Sequence, residues 1–254
     1  MAAISVTGLT KRYGELIAVN SASFEVPLGT ICGFVGPNGS GKTTTIRMLL
    51  SLIDPSSGSG EILGESISHP ERYLSKVGAM IEGPAFYPAL TGSENLHVLA
   101  TLGGCDLERI PYLLDLVGLS DRGDSKYKTY SLGMKQRLGI AAALLPDPKL
   151  LILDEPTNGL DPAGIQEIRD LLSKLAKEGV TVFVSSHLLS EIEMIAEYLV
   201  MLRKGEVIFF GKTIDLLHRS RPTITAKTEN PGDLPRLLEI VNGQGHPAEM
   251  VNNA

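Results

Sequence analysis

One stretch constrains what this chain can fold into more than any other: GPNGSGKT, from Gly36 to Thr43. It matches the pattern G-x4-G-K-[ST] in full. It follows an apolar run, Thr30 to Val35, and precedes residues 43–53, which carry helical spacing. That strand–loop–helix context is what the pattern requires. The glycines let the backbone fold so that several N–H groups point inward, and the helix N-terminus adds a partial positive charge. Gly36, Pro37, Asn38, Gly39, Ser40, Gly41, Lys42, Thr43 and Thr44 are therefore expected to hold nucleotide phosphates. Lys42 reaches the β- and γ-phosphates, and the Thr43 hydroxyl is a ligand for Mg²⁺.

A second run completes such a site. Leu150 to Pro156 reads LLILDEP, with apolar residues leading to two acids. This places Asp154 and Glu155 at the C-terminal end of a buried strand, where open α/β sheets put their ligands. Asp154 is expected to hold Mg²⁺ through its water shell, and Glu155 to polarise an attacking water. An Asp-Glu pair after a strand is weak evidence alone and strong evidence beside the phosphate loop.

The rest of the chain fits an α/β class. Segments 3–7, 19–26 and 30–35 are rich in β-formers, with breaks at Gly14, Pro27 and Gly29, so a small sheet begins the chain. Residues 60–63 and 77–81 read as further strands. Thr91 and Glu94 form a capping-box pattern that opens a mostly helical stretch to about residue 145, with Gly118 as a helix stop inside it. The continuous apolar runs at 149–154 and 180–185, separated by a helical 164–178, suit parallel strands buried on both faces. Residues 198–203 and 206–210 form a hairpin through Lys204 and Gly205. Beyond residue 220 the text turns polar, with a candidate strand at 221–227 and a short helix at 233–241.

Composition excludes several classes. The formal charge is −6 and no Lys/Arg cluster occurs, which argues against nucleic acid as a partner. The 2 cysteines, Cys32 and Cys105, lack CxxC spacing, so neither a disulfide framework nor a zinc site is expected. No signal peptide and no run long enough to span a bilayer is read.

The segment Tyr130 to Leu145, YSLGMKQRLGIAAALL, narrows the class. It resembles the signature motif of ATP-binding cassette (ABC) ATPases, usually L-S-G-G-Q. Leu132 replaces the first glycine and Met134 the glutamine. Further matches follow the family's order: Asn158-Gly-Leu-Asp161 after the Glu, Ser185-Ser-His187 at a strand end, and Lys11-Arg-Tyr-Gly14 early in the chain. The resemblance covers roughly residues 2–220. It implies that Tyr13 stacks on adenine, that Val19 and Thr44 join the ATP-binding set, and that His187 contacts the γ-phosphate. It also implies that Ser131 and Gly133 close on ATP held by a second protomer, with Asp161 contacting that protomer. The catalytic set so implied is Glu155, His187 and Lys42.

Glu82 stands where most of the family has a glutamine that binds Mg²⁺ and links the site to a membrane subunit. The resemblance implies a metal ligand, together with Thr43 and Asp154; a strand-end acid paired with a basic side chain is the alternative. The loop after it holds Phe86 and Tyr87, expected either at a docking groove for a permease helix or inside the helical insert. The stretch from Glu82 to Leu96, with Tyr130 to Gln136, resembles the subgroup serving bacitracin-resistance and lantibiotic-immunity exporters.

The expectation is a P-loop NTPase (RecA-like) α/β core with an N-terminal antiparallel β-subdomain and an inserted α-helical subdomain at about 83–145. Residues 1–220 form the nucleotide-binding domain and 221–254 a short extension. The implied protein hydrolyses ATP with Mg²⁺, dimerises around two ATP, and works in the cytoplasm on a separate membrane permease. A soluble ABC ATPase acting in DNA repair, chromosome structure or translation is the alternative.

Overall fold

The computed structural model describes residues 2–83, 85–219 and 231–243. The strands are β1 (Ala2–Tyr13), β2 (Leu16–Pro27), β3 (Ile31–Val35), β4 (Ser57–Ile62), β5 (Glu65–Ser66), β6 (Val77–Met80), β7 (Leu150–Leu153), β8 (Thr181–Ser186), β9 (Tyr198–Arg203) and β10 (Glu206–Lys212). The helices are α1 (Lys42–Leu49), α2 (Gly92–Gly103), α3 (Ile110–Leu116), α4 (Leu132–Ala143), α5 (Pro162–Lys177), α6 (Leu189–Ile192), α7 (Thr213–Arg219) and α8 (Leu234–Gly243). The chain divides into one unit, Met1–Leu217, and a second, His218–Ala254. Within the second unit the expected helix at 233–241 is α8, while the expected strand at 221–227 lies outside the described residues.

Strands sort into a small antiparallel sheet, β2-β1-β4-β5, and a larger sheet, β10-β9-β3-β8-β7-β6. Segment 30–35 thus leaves the small sheet that its neighbours form: β3 pairs in parallel with β8 and β9. Its five residues are all buried, as a central strand covered on both faces requires. β7 lies in parallel between β6 and β8, so the C-terminal ends of β3, β7 and β8 come out side by side.

Alternation along these strands divides the core in two. Cys32, Phe34, Leu150, Ile152 and Phe183 face the small sheet and α1, while Ile31, Val35, Leu151, Leu153, Val182 and Val184 face α5 and the helical insert. Phe34 and Phe183 meet at 5.0 Å between ring centroids, and Phe24 of the small sheet stacks on Phe183 at 6.0 Å. This aromatic contact joins the two sheets; truncating Phe183 to Ala would cost about 3–5 kcal/mol. Burial pushes the Cys32 thiol pKa far up, so it behaves as a small hydrophobe.

Boundaries differ locally from the sequence expectation. α1 stops at Leu49 because Ser51 adopts a left-handed φ of 53°. The insert is broken by one 3₁₀ turn between α2 and α3 and by two between α3 and α4. At its start the Thr91 hydroxyl accepts from Glu94 N at 3.1 Å, and the Glu94 carboxylate accepts from Thr91 N at 2.7 Å. The β9–β10 hairpin turns at Lys204 and Gly205, both at positive φ (51° and 82°), as a tight two-residue hairpin demands.

Candidate active site

The phosphate loop is packed too tightly for side chains at two of its glycines. A Cβ on Gly36 would lie 2.3 Å from the Leu202 carbonyl oxygen, and one on Gly41 2.5 Å from that of Ala18. Gly41 also sits at φ 106°, closed to other residues. The Gly205 amide donates to Ser40 O at 2.9 Å, so the β9–β10 turn braces the loop from outside. The buried Ser40 hydroxyl has no hydrogen-bond partner among the described residues.

Lys42 is buried, and its ammonium donates to the carbonyl of Gly36 at 2.6 Å and to that of Pro37 at 3.4 Å. It lies 3.2 Å from Glu155 Oε1, an ion pair without hydrogen-bond alignment. The Thr43 hydroxyl donates to Asp154 Oδ2 at 2.7 Å. These links join the end of β3 to the end of β7 across 111 residues of chain.

β8 supplies the third side. The Ser185 hydroxyl donates to Asp154 Oδ1 at 2.5 Å and accepts from the Glu155 amide at 2.9 Å. His187 Nδ1 lies 2.8 Å from Glu155 Oε2, which also accepts from the His187 amide at 3.3 Å. Glu155 holds a left-handed φ of 51°, a conformation that costs a non-glycine residue roughly 1–2 kcal/mol. The turn this makes keeps Glu155 at the strand end beside Lys42 and His187 rather than along the next loop.

Two clefts open on the surface. The first, of about 520 Å³, is lined by Tyr13, Leu16, Ile17 and Ala18, by the phosphate-loop residues Asn38, Gly39, Gly41, Lys42, Thr43 and Thr44, and by Glu155, Lys204 and Gly205. Tyr13 ends β1, 48% exposed, with Lys11 Nζ 5.3 Å from its ring centroid. Val19 does not line this cleft. It is fully buried behind the loop, where its side chain would sit 3.2 Å from a Cβ on Gly41. Leu16, Ile17 and Ala18 line the cleft in succession just before Val19.

The second cleft, of about 370 Å³, is lined by Ser131, Gly133, Arg137, Gly159, Leu160 and Asp161 among others. It shares no residue with the first. Ser131 caps α4, its hydroxyl accepting from Met134 N at 3.3 Å. Asp161 caps α5, accepting from Gly164 N at 3.1 Å. Within one chain, then, Ser131, Gly133 and Asp161 are brought together with each other and not with the phosphate loop.

Glu82 lies at φ 56° just past β6, 63% exposed, and its carboxylate pairs with the Arg47 guanidinium of α1. Met80, two residues earlier, accepts from the Asp154 amide at 2.8 Å. Phe86 packs into the helical insert, its ring edge-on to Tyr127 at 5.1 Å, whereas Tyr87 is 61% exposed. The two aromatic residues of this loop therefore differ in burial.

Sequence reasoning named Ser185 only within the strand-end histidine motif and missed its contacts with Asp154 and Glu155. Two serines closing an otherwise apolar strand were the available signal.

The family model described as ABC transporter matches residues 19–158. The bacitracin transport ATP-binding protein BcrA of Enterococcus faecalis is 48% identical over 221 residues, covering 86% of this chain and 72% of that protein. The lantibiotic transport ATP-binding protein SrtF of Streptococcus pyogenes is 42% identical over 205 residues, covering 81% of this chain and 89% of its own. Among solved structures, a dimeric post-hydrolysis state of an ATP-binding cassette bound to ADP and Pi superposes with a TM-score of 0.72 at 26% identity, covering 83% of this chain and 98% of that one. A phosphate loop, a strand-end Asp-Glu pair and a strand-end histidine converging on one cleft agree with these likenesses, and the chain belongs to the ABC transporter family as an ATP-binding, ATP-hydrolysing subunit.

Proposed function

We propose that this subunit dimerises around two ATP molecules and powers export of a peptide antibiotic or bacteriocin through a separate membrane permease. The observation that carries the dimer is the division of the site residues between two unshared clefts of one chain. Ser131 and Gly133 line a cleft other than the one holding their own phosphate loop, and a second copy is read as supplying them. The cargo class follows from the relatives named for bacitracin and lantibiotic transport.

In this mechanism the adenine lies against Tyr13 and the phosphates enter the loop from Gly36 to Thr43. Lys42 exchanges its carbonyl partners for phosphate oxygens, a stronger, charge-assisted contact. Ser131 and Gly133 of the second protomer approach from the far side at the N-terminus of α4, which favours an anion. Glu155 orients a water in line with the γ-phosphate, and His187 holds the carboxylate in place and adds donor capacity as charge develops. Thr43 and Asp154 fit Mg²⁺, because a hydroxyl and a carboxylate 2.7 Å apart form a hard-oxygen donor set. When bound, that ion neutralises phosphate charge.

Glu82 is read as a ligand for the same ion whose position reports the site's state to the permease, with Arg47 of α1 as its partner in the present structure. Tyr87, exposed at the tip of the same loop, is read as part of the permease-docking surface, and Phe86 as the anchor holding that loop to the insert. The domain assignment follows: residues 1–220 as the motor, with 83–145 as the insert, and 221–254 as an extension. No helix among the described residues is long and apolar enough to cross a membrane. A subunit held at the inner face of the plasma membrane by its permease is the reading that the transport relatives support. The relatives reported are transport proteins by name, which weighs against the DNA-repair alternative.

The test is mild crosslinking in native membranes followed by mass spectrometry of what the chain captures. A multi-helix permease is the expected partner. A soluble partner would overturn the transport reading.

A further inference from the structure

The loop after Glu155 and the loop after β8 are tied together by a residue that no motif singled out. Glu191, in α6, accepts from the Thr157 hydroxyl at 2.7 Å and from the Ser186 hydroxyl at 3.3 Å, both on Oε2. Thr157 and Ser186 are buried, so these hydroxyls have little access to water as an alternative. The Ser186 hydroxyl accepts in turn from the Leu188 amide at 3.0 Å, which fixes the backbone on the far side of His187. Glu191 is held from behind as well. Its carbonyl accepts from Arg169 Nε at 2.8 Å, and the same guanidinium reaches Ser190 O at 3.3 Å.

Arg169 belongs to α5, whose N-cap is Asp161. Thr157 lies between Glu155 and Asp161, and the Asn158 amide donates to Glu155 O at 3.1 Å. One side chain thus touches the segment from Glu155 to Asp161 and the segment carrying His187, while its main chain is anchored to α5. None of these contacts reaches the nucleotide cleft, whose lining does not include Glu191, Thr157 or Arg169.

We infer that Glu191 is a positioning residue that makes the Glu155–Asp161 loop and the His187 loop move as one body, so that partner contact at Asp161 sets the His187–Glu155 geometry. The inference rests on the roles proposed above for Glu155, Asp161 and His187. A charged acceptor suits two hydroxyl donors on one oxygen, because hydrogen bonds to a carboxylate are stronger than those to a neutral acceptor. Residues tied in one network give non-additive effects on mutation.

The experiment uses the full chain and measures kcat, KM, ATP dissociation constant, Hill coefficient for ATP and melting temperature. The variants are Glu191→Ala, Glu191→Gln, Thr157→Val and the double variant Thr157→Val/Glu191→Ala, with Glu155→Gln in the same assay. Glu191→Ala is expected to lower kcat about tenfold and flatten the ATP cooperativity, with the ATP dissociation constant within roughly twofold. Glu191→Gln, whose amide oxygen still accepts both hydroxyls, restores most of kcat. Thr157→Val reproduces part of the loss, and the double variant is no slower than Glu191→Ala. An unchanged kcat in Glu191→Ala, additive losses in the pair, or kcat and ATP affinity falling together in step with melting temperature would each overturn the inference. A Glu155→Gln variant that turns over normally would instead remove the reading on which it rests.

Discussion

His187 and Glu155 meet side chain to side chain, Nδ1 to Oε2 at 2.8 Å, while Lys42 stands 3.2 Å from the other carboxylate oxygen. Each oxygen of Glu155 therefore has its own basic neighbour, drawn from a different strand end. Lys42 follows β3, Glu155 follows β7 and His187 follows β8, and the parallel pairing of those strands is what makes the three ends adjacent. A carboxylate held this way has one orientation, which is what aiming a water along a single line requires.

Lys42→Ala removes the ammonium that the phosphate loop holds at 2.6 Å from the Gly36 carbonyl. A hydrogen bond to a charged group contributes about 1.5–3 kcal/mol, so ATP affinity is expected to fall roughly 10- to 100-fold. Titration with a fluorescent nucleotide checks this. Wild-type affinity would remove Lys42 from the phosphate site.

Glu82 carries the second prediction. Its pairing with Arg47 is exposed on both sides, 38% for Arg47 and 63% for Glu82, so the pair adds little to stability, about 0–1 kcal/mol. Glu82→Gln is expected to leave the unfolding free energy within that range and ATP binding intact. The Mg²⁺ concentration for half-maximal turnover is expected to shift, because an amide is a weaker ligand than a carboxylate. An unchanged Mg²⁺ titration together with unchanged transport would show that Glu82 only balances Arg47.

A pH effect follows from the capping box. The Glu94 carboxyl is held below its usual range by the hydrogen bond it accepts from the Thr91 amide. Its folded pKa is lowered, so the folded state binds the proton less readily than the unfolded chain does. The stability this contributes is fully present above the ordinary carboxylate value, about 4.3, and is lost as pH falls through the lowered folded value. Glu94→Ala is therefore expected to be less stable than the parent at neutral pH, with the gap narrowing in acid. Urea titrations at a series of pH values measure it. A gap independent of pH would mean that the cap acts without its charge.

How much of this could be read beforehand depends on how far apart the partners lie in the chain. The phosphate loop, the Asp154–Glu155 pair and the Thr91–Glu94 cap were legible because each is a local pattern with one backbone solution. Which residues of β2 meet the cleft was less legible: Leu16, Ile17 and Ala18 line it in succession, while Val19 is buried behind the loop. Assignment of β3 to the larger sheet needed its parallel partners, which lie about 150 residues away. A basic partner for Glu82 was one of two readings, but Arg47, 35 residues away, could not be named, and nothing local announces the Thr157–Glu191 contact across 34 residues. Ser185 came closest to being readable, as the first of two serines that close an apolar strand before His187.

The central claim is that two copies complete each other's site. Sedimentation of Glu155→Gln with and without Mg-ATP tests it most directly, since slowed hydrolysis leaves the closed state to accumulate. The account predicts a monomer without nucleotide and a dimer holding two ATP with it, dispersed again by adding Ser131→Arg. A species that binds ATP yet stays monomeric at high protein concentration would contradict it.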